Sequence, residues 1–400
     1  MPTPCSLAAL GMVNALGIDR DTIWRRALAG DQSGFAPRPE LAAGRDWLLG
    51  AVDDACLPRI PASLARWACR NNAFTLAALL QIEDAVRDAI RAVGAERVGV
   101  VMGTSTSGSA ECEAAILYSR DHGALLPDFC YEQLELGGAA EFLCELLDLR
   151  GPALSISTAC SSGARALASA RSLLAAGVCD AVLAGGSDSL CGLTTHGFAS
   201  LKALAQGITN PFSLNREGLT LGEGAALFLV TRDSAGIQLL GVGESSEAHH
   251  ISSPDPEGRG AAAAMRGALA DAGVTAADVA YLNLHGTGTR LNDAMESRAV
   301  ADVLGEATPC SSTKPLVGHC LGAAGAVELG LIWLAQDARR GGSLPLLPHR
   351  YDGVADPELA PIRLVGEGES AGAGEGDVLM TNSFGFGGNN CTLVIGAARA

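Results

Sequence analysis

Aromatic side chains are scarce in this sequence, since Phe, Trp and Tyr together make up only 4% of its 400 residues. Glycine is abundant instead, with 50 residues, and small residues allow helices and strands to approach one another closely. The sequence also lacks an apolar run long enough to cross a bilayer. Its 48% hydrophobic content can fill one large core or two fused cores, which favours a layered α/β protein.

Three further absences narrow the function. Basic residues are few, with 28 Lys and Arg against 44 Asp and Glu, and the net charge of −16 argues against a nucleic acid or an anionic membrane as partner. The twelve Cys form no CxxC pair and no zinc-like cluster, so no metal site is predicted and eleven of them are interpreted as core residues in a reducing cytoplasm. The N-terminus lacks the basic region of a signal peptide and is predicted to form a first strand.

Short β-rich segments alternate with Ala- and Leu-rich segments along the chain. The patterns predict strands over 96–103, 151–159, 180–186, 224–230, 237–247, 279–286 and 389–396, and helices over 161–177, 260–273 and 318–336. Gly-rich turns precede the apolar strands at 224–230 and 389–396 in the same way. This repetition predicts a duplicated α/β unit, with one half over residues 1–235 and the other over 236–400.

Cys160 lies where a predicted strand runs directly into a helix, in SISTACSSGARALASA. A helix dipole and free backbone N–H groups at this position would favour the thiolate over the thiol. The small neighbouring residues leave room for a substrate to reach the sulfur. A buried structural cysteine is an equally good interpretation of this segment taken alone.

Two histidines lie beside turns that suit chemistry. His285 follows a predicted strand in LNLHGTGTRLND, where a histidine that merely caps the turn is the plainer interpretation. His319 is predicted to open a helix in SSTKPLVGHCLGAAGAVE, where the dipole would keep its ring neutral and able to donate to an oxyanion. Lys314 precedes this helix and Glu328 lies within it, so the two can form a pair at the site or an ordinary surface pair.

The segment NSFGFGGNN (382–390) is a Gly-rich turn with two Phe. A phosphate-binding loop is disfavoured, because no strand is predicted before it and no helix after it. A close approach of its backbone to a substrate, with an N–H available to an oxyanion, is the preferred interpretation.

In this order, the motifs TACSSG, HGTGT, TKPLVGHCLGAAGAVE and NSFGFGGNN resemble those of the β-ketoacyl synthases of types I and II. LGMVNALG, NPFSLNREGLTLGEGAA and EAHHISSPDPEGRG extend the resemblance over nearly the whole chain. It implies the thiolase fold, in which two similar halves form five α/β/α/β/α layers, active as a homodimer or as a heterodimer with a related ketosynthase or chain-length factor. The segment MGTSTSGSAE (102–111) is similar to synthases of secondary-metabolite clusters, such as those making aryl polyenes.

The resemblance also implies roles for the candidate residues. Cys160 would carry the acyl group, and the backbone N–H groups of Cys160 and Phe384 would form the oxyanion hole. His285 and His319 would donate hydrogen bonds to the thioester of malonyl carrier protein while CO2 leaves, and the carbanion would attack the acyl-Cys. Phe384 is further predicted to gate the acyl pocket, and Lys314 paired with Glu328 would organise the site. These roles describe a decarboxylative Claisen condensation in fatty-acid or polyketide biosynthesis.

Substrate and partner contacts follow from the same resemblance. Thr287 and Thr289 would bind the pantetheine arm, which belongs to the acyl carrier protein, so no metal or organic cofactor is expected. Because carrier proteins and this chain are both acidic, docking requires a local basic patch. Arg66 and Arg70, four residues apart on one predicted helical face, and Lys202 are the candidates.

Three other functions stay open. A thiolase-like enzyme would use acyl-CoA without decarboxylation. A non-catalytic chain-length partner would lack the nucleophile, whereas this sequence retains Cys160. An NAD-dependent oxidoreductase would require GxGxxG directly after a strand, and the sequence contains none suitably placed.

Overall fold

The computed structural model describes residues 5–41, 45–339, 342–372 and 378–398. Its strands are β1 (Cys5–Asn14), β2 (Phe35–Pro37), β3 (Leu48–Gly50), β4 (Val98–Gly103), β5 (Ala153–Ile156), β6 (Ala181–Asp188), β7 (Gly224–Thr231), β8 (Ile237–Ser246), β9 (Val279–Asn283), β10 (Pro309–Ser311), β11 (Leu344–Pro345), β12 (Arg363–Leu364), β13 (Ser370–Ala371), β14 (Val378–Gly385) and β15 (Asn389–Ala397). Its helices are α1 (Arg20–Leu28), α2 (Arg70–Leu80), α3 (Glu83–Val93), α4 (Ser109–His122), α5 (Gly138–Leu147), α6 (Ser162–Ala175), α7 (Gly192–Ser200), α8 (Arg259–Ala272), α9 (Arg290–Leu304), α10 (Lys314–Val317) and α11 (Ala324–Asp337).

The large sheet contains the same five-strand arrangement twice. Its order is β12-β10-β9-β14-β15-β8-β1-β7-β6-β4-β5. Strands β5-β4-β6-β7-β1 correspond to β10-β9-β14-β15-β8, and each set has two parallel pairs followed by two antiparallel pairs. The Gly-rich turns noted in the sequence precede β7 and β15, which are equivalent strands. The topology therefore has the predicted duplication, and the chain crosses between the halves after Thr231 and before Ile237.

Helices cover both faces of each half and also separate the halves. Strands β1 and β8 pair over Cys5–Ser6 and Gln238–Leu239, which joins the halves edge to edge. Helices α6 and α11 pack against each other and against strands of both halves. Helices α2 and α5 cover the outside of the first half, while α8 packs on β8 and β15 outside the second. The layers are thus α/β/α/β/α, as the thiolase fold requires, with the main hydrophobic core around the two inner helices.

The inner helices cross where each has a glycine. A Cβ atom on Gly163 of α6 would lie 2.8 Å from the backbone nitrogen of Ala326. A Cβ atom on Gly325 of α11 would lie equally close to the backbone nitrogen of Ala164. Larger residues would force the helices apart, so this glycine pair sets how closely the N-terminal ends of α6 and α11 approach.

The predicted strands and helices lie near the predicted positions, with two exceptions that affect the site. Helix α11 begins at Ala324, because Gly318 (φ +77°) ends α10 and Leu321 (φ +51°) interrupts the helical backbone. Strand β14 runs through Gly385, so the prediction that no strand precedes the Gly-rich turn is wrong. Residues 1–4 of the predicted first strand lie outside the described residues. Among the helices of the described ranges, none is both long and apolar enough to cross a membrane.

Candidate active site

Cys160 lies at a sharp turn between β5 and α6. The residue before it, Ala159, has a φ of +53°, which is unfavourable for any residue with a Cβ atom. Ser162 holds the turn, because its hydroxyl accepts from the N–H of Thr158 at 2.9 Å and donates to the carbonyl of Ala159 at 2.6 Å. This strained elbow directs the Cys160 sulfur into a cavity of about 420 Å³.

The sulfur of Cys160 is almost fully buried. Burial raises the pKa of the thiol to about 11, although Lys314 and the backbone N–H groups of Phe386 and Cys160 oppose the shift. The prediction that the helix start would favour the thiolate is therefore wrong for the resting protein, because removal from water outweighs the dipole. At neutral pH the group is a thiol.

His319 contacts the nucleophile directly, with its Nε2 atom 3.0 Å from the Cys160 sulfur. Its backbone is fixed on both sides, since its N–H donates to Thr220 at 2.7 Å and its carbonyl accepts from Gly222 at 3.0 Å. Burial and the nearby Lys314 hold its pKa well below the ordinary value. The ring is neutral, as predicted, but the cause is burial and a neighbouring cation rather than the start of a helix, because α11 begins five residues later.

His285 follows β9, and its ring centroid lies 5.6 Å from that of His319 in an edge-on arrangement. Burial, Lys314 and His319 hold its pKa well below the ordinary value. Glu296 on α9 fixes the turn, accepting from the N–H groups of His285 and Gly286 at 2.7 Å each. Glu296 was not among the site residues predicted from the sequence. The one feature that could have indicated it is its helical spacing from the other buried residues of α9.

Lys314 and Glu328 form a buried ion pair directly behind His285. Both residues are at most 1% exposed, which excludes an ordinary surface pair. The Lys314 ammonium donates to Glu328 and to the His285 carbonyl, and it lies 3.4 Å from His285 Nδ1. Because an ammonium group can only donate, Nδ1 must accept and the hydrogen of the ring must be on Nε2. Lys314 thus fixes the tautomer that presents an N–H away from the ion pair.

The cavity leads from these groups to the surface. Cys160, His285 and His319 line it together with Thr287 and Thr289, whose hydroxyl oxygens lie 2.9 Å apart. The three reactive side chains each offer one sulfur or nitrogen atom, and these atoms lie within 4.8 Å of one another. The structure therefore brings Cys160 next to two histidines that lie more than 100 positions further along the chain.

The two Phe of the Gly-rich turn, Phe384 and Phe386, have different environments. Phe384 is a ladder residue of β14 paired with Asn390, buried, with its ring 5.8 Å from that of His285. Phe386 lies just beyond the strand and is 38% exposed, and its ring is 5.7 Å from that of Phe198 across the cavity. The N–H of Phe386 points at the sulfur of Cys160. The backbone N–H assigned to Phe384 therefore fits Phe386, because β14 continues through Gly385. That Phe384 gates the acyl pocket stays a prediction.

Arg66 and Arg70, which were predicted to form one docking site, lie in different elements, and Lys202 was predicted as a separate site. Arg66 lies in a 3-10 helix (Ala62–Trp67) and pairs with Glu145 at 2.5 Å, whereas Arg70 begins α2. Arg70 is largely buried and makes two hydrogen bonds, of 2.6 and 2.8 Å, to Glu223. The prediction of one helical face for the two arginines is wrong, because the backbone kinks between them. Lys202 is exposed and lines the active cavity.

Comparison with known proteins finds relatives that match nearly the whole chain. Family models for the N-terminal and C-terminal domains of β-ketoacyl synthases match residues 7–235 and 237–339. The 3-oxoacyl-[acyl-carrier-protein] synthase 2 of Rhizobium meliloti (strain 1021) is 32% identical, and that of Coxiella burnetii (strain RSA 493 / Nine Mile phase I) is 31% identical, each over 97% of both chains.

Solved structures give the same assignment. A chain from the structure of a ketosynthase in complex with its chain length factor from Xenorhabdus doucetiae is 44% identical, with a TM-score of 0.93, over 99% of this chain and 98% of that one. A β-ketoacyl synthase from Burkholderia phymatum STM815 is 29% identical with a TM-score of 0.86, over 99% of this chain and all of that one. With the motifs, the duplicated fold and both domain models in agreement, this chain belongs to the β-ketoacyl synthase family.

Proposed function

We propose that this chain catalyses the decarboxylative condensation of an acyl group held on Cys160 with malonyl carrier protein, as a β-ketoacyl–acyl-carrier-protein synthase. The observation that carries the proposal is the cluster of Cys160, His285 and His319, whose sulfur and nitrogen atoms lie within 4.8 Å of one another on one cavity. The names of the relatives, 3-oxoacyl-[acyl-carrier-protein] synthase 2, support the same reaction.

In the first half-reaction the sulfur of Cys160 attacks the acyl thioester of the carrier. The proton of the thiol passes to the departing pantetheine sulfur, so that the carrier leaves as a thiol. The N–H groups of Cys160 and Phe386 are placed to stabilise the oxyanion, because both point toward the sulfur. A covalent intermediate divides one difficult condensation into two easier steps.

In the second half-reaction malonyl carrier protein occupies the cavity. The neutral rings of His285 and His319 donate N–H groups to its thioester carbonyl, and one such donor contributes roughly 3–4 kcal/mol to transition-state stabilisation. Loss of CO2 leaves an enolate, whose carbon attacks the acyl-Cys160 and expels the Cys160 thiolate, which takes up a proton from solvent. Thr287 and Thr289 bind the pantetheine arm, and the reaction uses no metal or organic cofactor.

The proposal includes a partner of the same fold. Strand β5 pairs with β4 on one side, and its residues Ala153 and Leu154 are exposed on the sheet edge. Ile116 and Leu117 of α4 are further exposed apolar residues. Because the ketosynthase of Xenorhabdus doucetiae was solved with its chain length factor, we propose such a heterodimer here, with the homodimer as the alternative. Twelve free thiols support a reducing cytoplasm as its location.

The test uses Cys160→Ala with Cys179→Ala, at another buried cysteine, as the control. Acyl transfer from a carrier is followed by mass spectrometry of the protein, and decarboxylation by release of labelled CO2 from malonyl carrier protein. We expect Cys160→Ala to lose acyl loading and condensation, while the control retains both. Acyl loading of Cys160→Ala at the wild-type rate would falsify the assignment of the nucleophile. Condensation without CO2 release would instead indicate a thiolase-like enzyme.

The same two assays separate the roles of the histidines. His285→Ala and His319→Ala should each reduce CO2 release more than acyl loading, since each N–H acts on the malonyl thioester. A variant that releases CO2 normally but cannot be acylated would contradict this division.

A further inference from the structure

A further buried carboxylate, that of Asp188, lies at the end of β6 and does not line the cavity. It is fully buried, and it accepts from the hydroxyls of Thr104 at 2.7 Å and Thr106 at 2.6 Å. The backbone N–H groups of Ser105 and Thr106 donate to it as well, at 2.9 and 2.8 Å. All these donors belong to the loop between β4 and α4.

The other oxygen of Asp188 accepts from the N–H of Gly322 at 2.6 Å. Gly322 lies in the 3-10 turn Leu321–Ala323, which begins two residues after His319. The contact is tight, because a Cβ atom on Gly322 would lie 2.8 Å from the Asp188 carboxylate and 2.7 Å from the hydroxyl of Ser105. Leu321 has a φ of +51°, so the turn is held in a conformation that a leucine does not favour by itself.

We propose that Asp188 is a positioning residue, which fixes the turn after His319 against the β4–α4 loop and so places the His319 ring for decarboxylation. Thr220 and Gly222 hold the backbone of His319 from one side. The bond from Asp188 to Gly322 holds the same turn from the other side. Without it, the strained backbone at Leu321 could relax and carry the ring away from its position.

The charge and shape of a carboxylate are both needed at this position. Five donor groups from four residues point at Asp188, and a carboxylate presents only acceptors to them, with the five donors sharing its two oxygens. An amide offers one oxygen, and its NH2 group would face N–H and O–H donors. Asp188→Asn should therefore release part of this cluster even though its size is unchanged.

The inference rests on the proposed function, and the experiment compares the two half-reactions in the full-length protein. Asp188→Asn should lower CO2 release from malonyl carrier protein about 10- to 100-fold, because small displacements of an aligned group have effects of this order. Acyl loading of Cys160 should change by less than about threefold, since the attacking sulfur and the two backbone N–H groups stay in place. Asp188→Glu, which restores the charge, should recover part of the loss.

Two further variants keep the test decisive. Thr104→Val with Thr106→Val removes two donors, leaves the carboxylate in place and preserves side-chain shape, so it should show a smaller loss with the same selectivity even if Asp188→Asn folds poorly. Asp271→Asn is the control, because Asp271 accepts from the N–H of Val242 at 2.8 Å on the outer face of the second half. It should leave the ratio of the two rates unchanged.

Equal losses in loading and decarboxylation, or a loss matched by Asp271→Asn, would overturn the positioning role and leave Asp188 a purely structural residue. Unchanged decarboxylation in Asp188→Asn would overturn it as well. If the wild-type protein itself fails to release CO2 or to load Cys160, the proposed function fails instead, and the two failures are thereby distinguished.

Discussion

Replacing Lys314 by methionine tests the energetics of the buried ion pair and its chemical role together. Methionine keeps most of the side-chain volume but removes the charge, leaving Glu328 buried without its partner. Breaking one side of a buried pair typically costs about 3–5 kcal/mol of folding free energy. At pH 8.5 we expect Lys314→Met to lose stability of this order, measured by urea unfolding followed by circular dichroism.

The loss should depend on pH with a definite sign. Burial raises the pKa of Glu328 from 4.5 to about 7 even with Lys314 opposing the shift, and removing Lys314 should raise it further. Between the unfolded and folded pKa values the native state binds the proton and the unfolded state does not, so stability falls as pH rises, by at most about 1.4 kcal/mol per pH unit. Lys314→Met should therefore be least destabilised near pH 5 and most destabilised above pH 7.

A double variant separates stability from chemistry. Lys314→Met with Glu328→Leu removes both charges, and apolar replacement of a whole buried pair is often neutral or stabilising. We expect it to unfold near the wild-type urea midpoint at pH 8.5, but still to lack CO2 release because nothing donates to Nδ1 and the carbonyl of His285. Arg266→Met breaks the exposed pair with Asp302 and should cost less than about 1 kcal/mol. A single variant as stable as wild type at pH 8.5, or more stable as pH rises, would refute this reasoning.

Three further predictions concern the cavity, its mouth and the two arginines of the predicted docking helix. Phe386→Ala should alter the rate of acyl loading with little effect on stability, whereas Phe384→Ala should cost about 3–5 kcal/mol as a buried aromatic residue; the opposite assignment in loading and urea assays would restore Phe384 as the gate. Lys202→Glu should raise KM for a carrier-bound substrate but not for a small acyl-pantetheine mimic, with added salt weakening the wild type toward the variant. Arg66→Glu with Arg70→Glu should lower the unfolding temperature, because Arg70 pairs with buried Glu223; a change in carrier KM alone would contradict that.

The sequence was sufficient for groups that belong to contiguous motifs. Taken alone, the segments of Cys160 and His285 left a structural interpretation open. The four motifs in order, through their resemblance to the β-ketoacyl synthases, indicated the roles of both residues and of His319. The buried pairing of Lys314 with Glu328 was one of two interpretations, since nothing local indicates whether a charge pair is buried. The structure decides it, because α11 is buried along almost its whole length.

The features that the sequence did not predict depend on where strands end and on contacts between segments that are distant in sequence. The environments of Phe384 and Phe386 depend on whether β14 ends before or after Gly385, because alternate residues of a strand face opposite sides of the sheet. Glu296 and Asp188 escaped notice because most of their partners are backbone N–H groups, which leave no trace in side-chain patterns. The thiol pKa of Cys160 was predicted in the wrong direction because local motifs report the dipole but not the burial.

The duplicated fold explains why the nucleophile and its partner meet at all. Cys160 lies two residues before the first residue of α6, and His319 lies five residues before that of α11, the equivalent inner helix of the second half. Because these helices cross at Gly163 and Gly325, near their N-terminal ends, the two residues are brought to the same point from opposite halves. The symmetry of the two halves alone would place similar side chains before the two helices, whereas here one is a cysteine and the other a histidine. The difference arises from the turns before each helix. Burial then keeps the sulfur protonated and the imidazole neutral, so that His319 can donate an N–H to a thioester carbonyl.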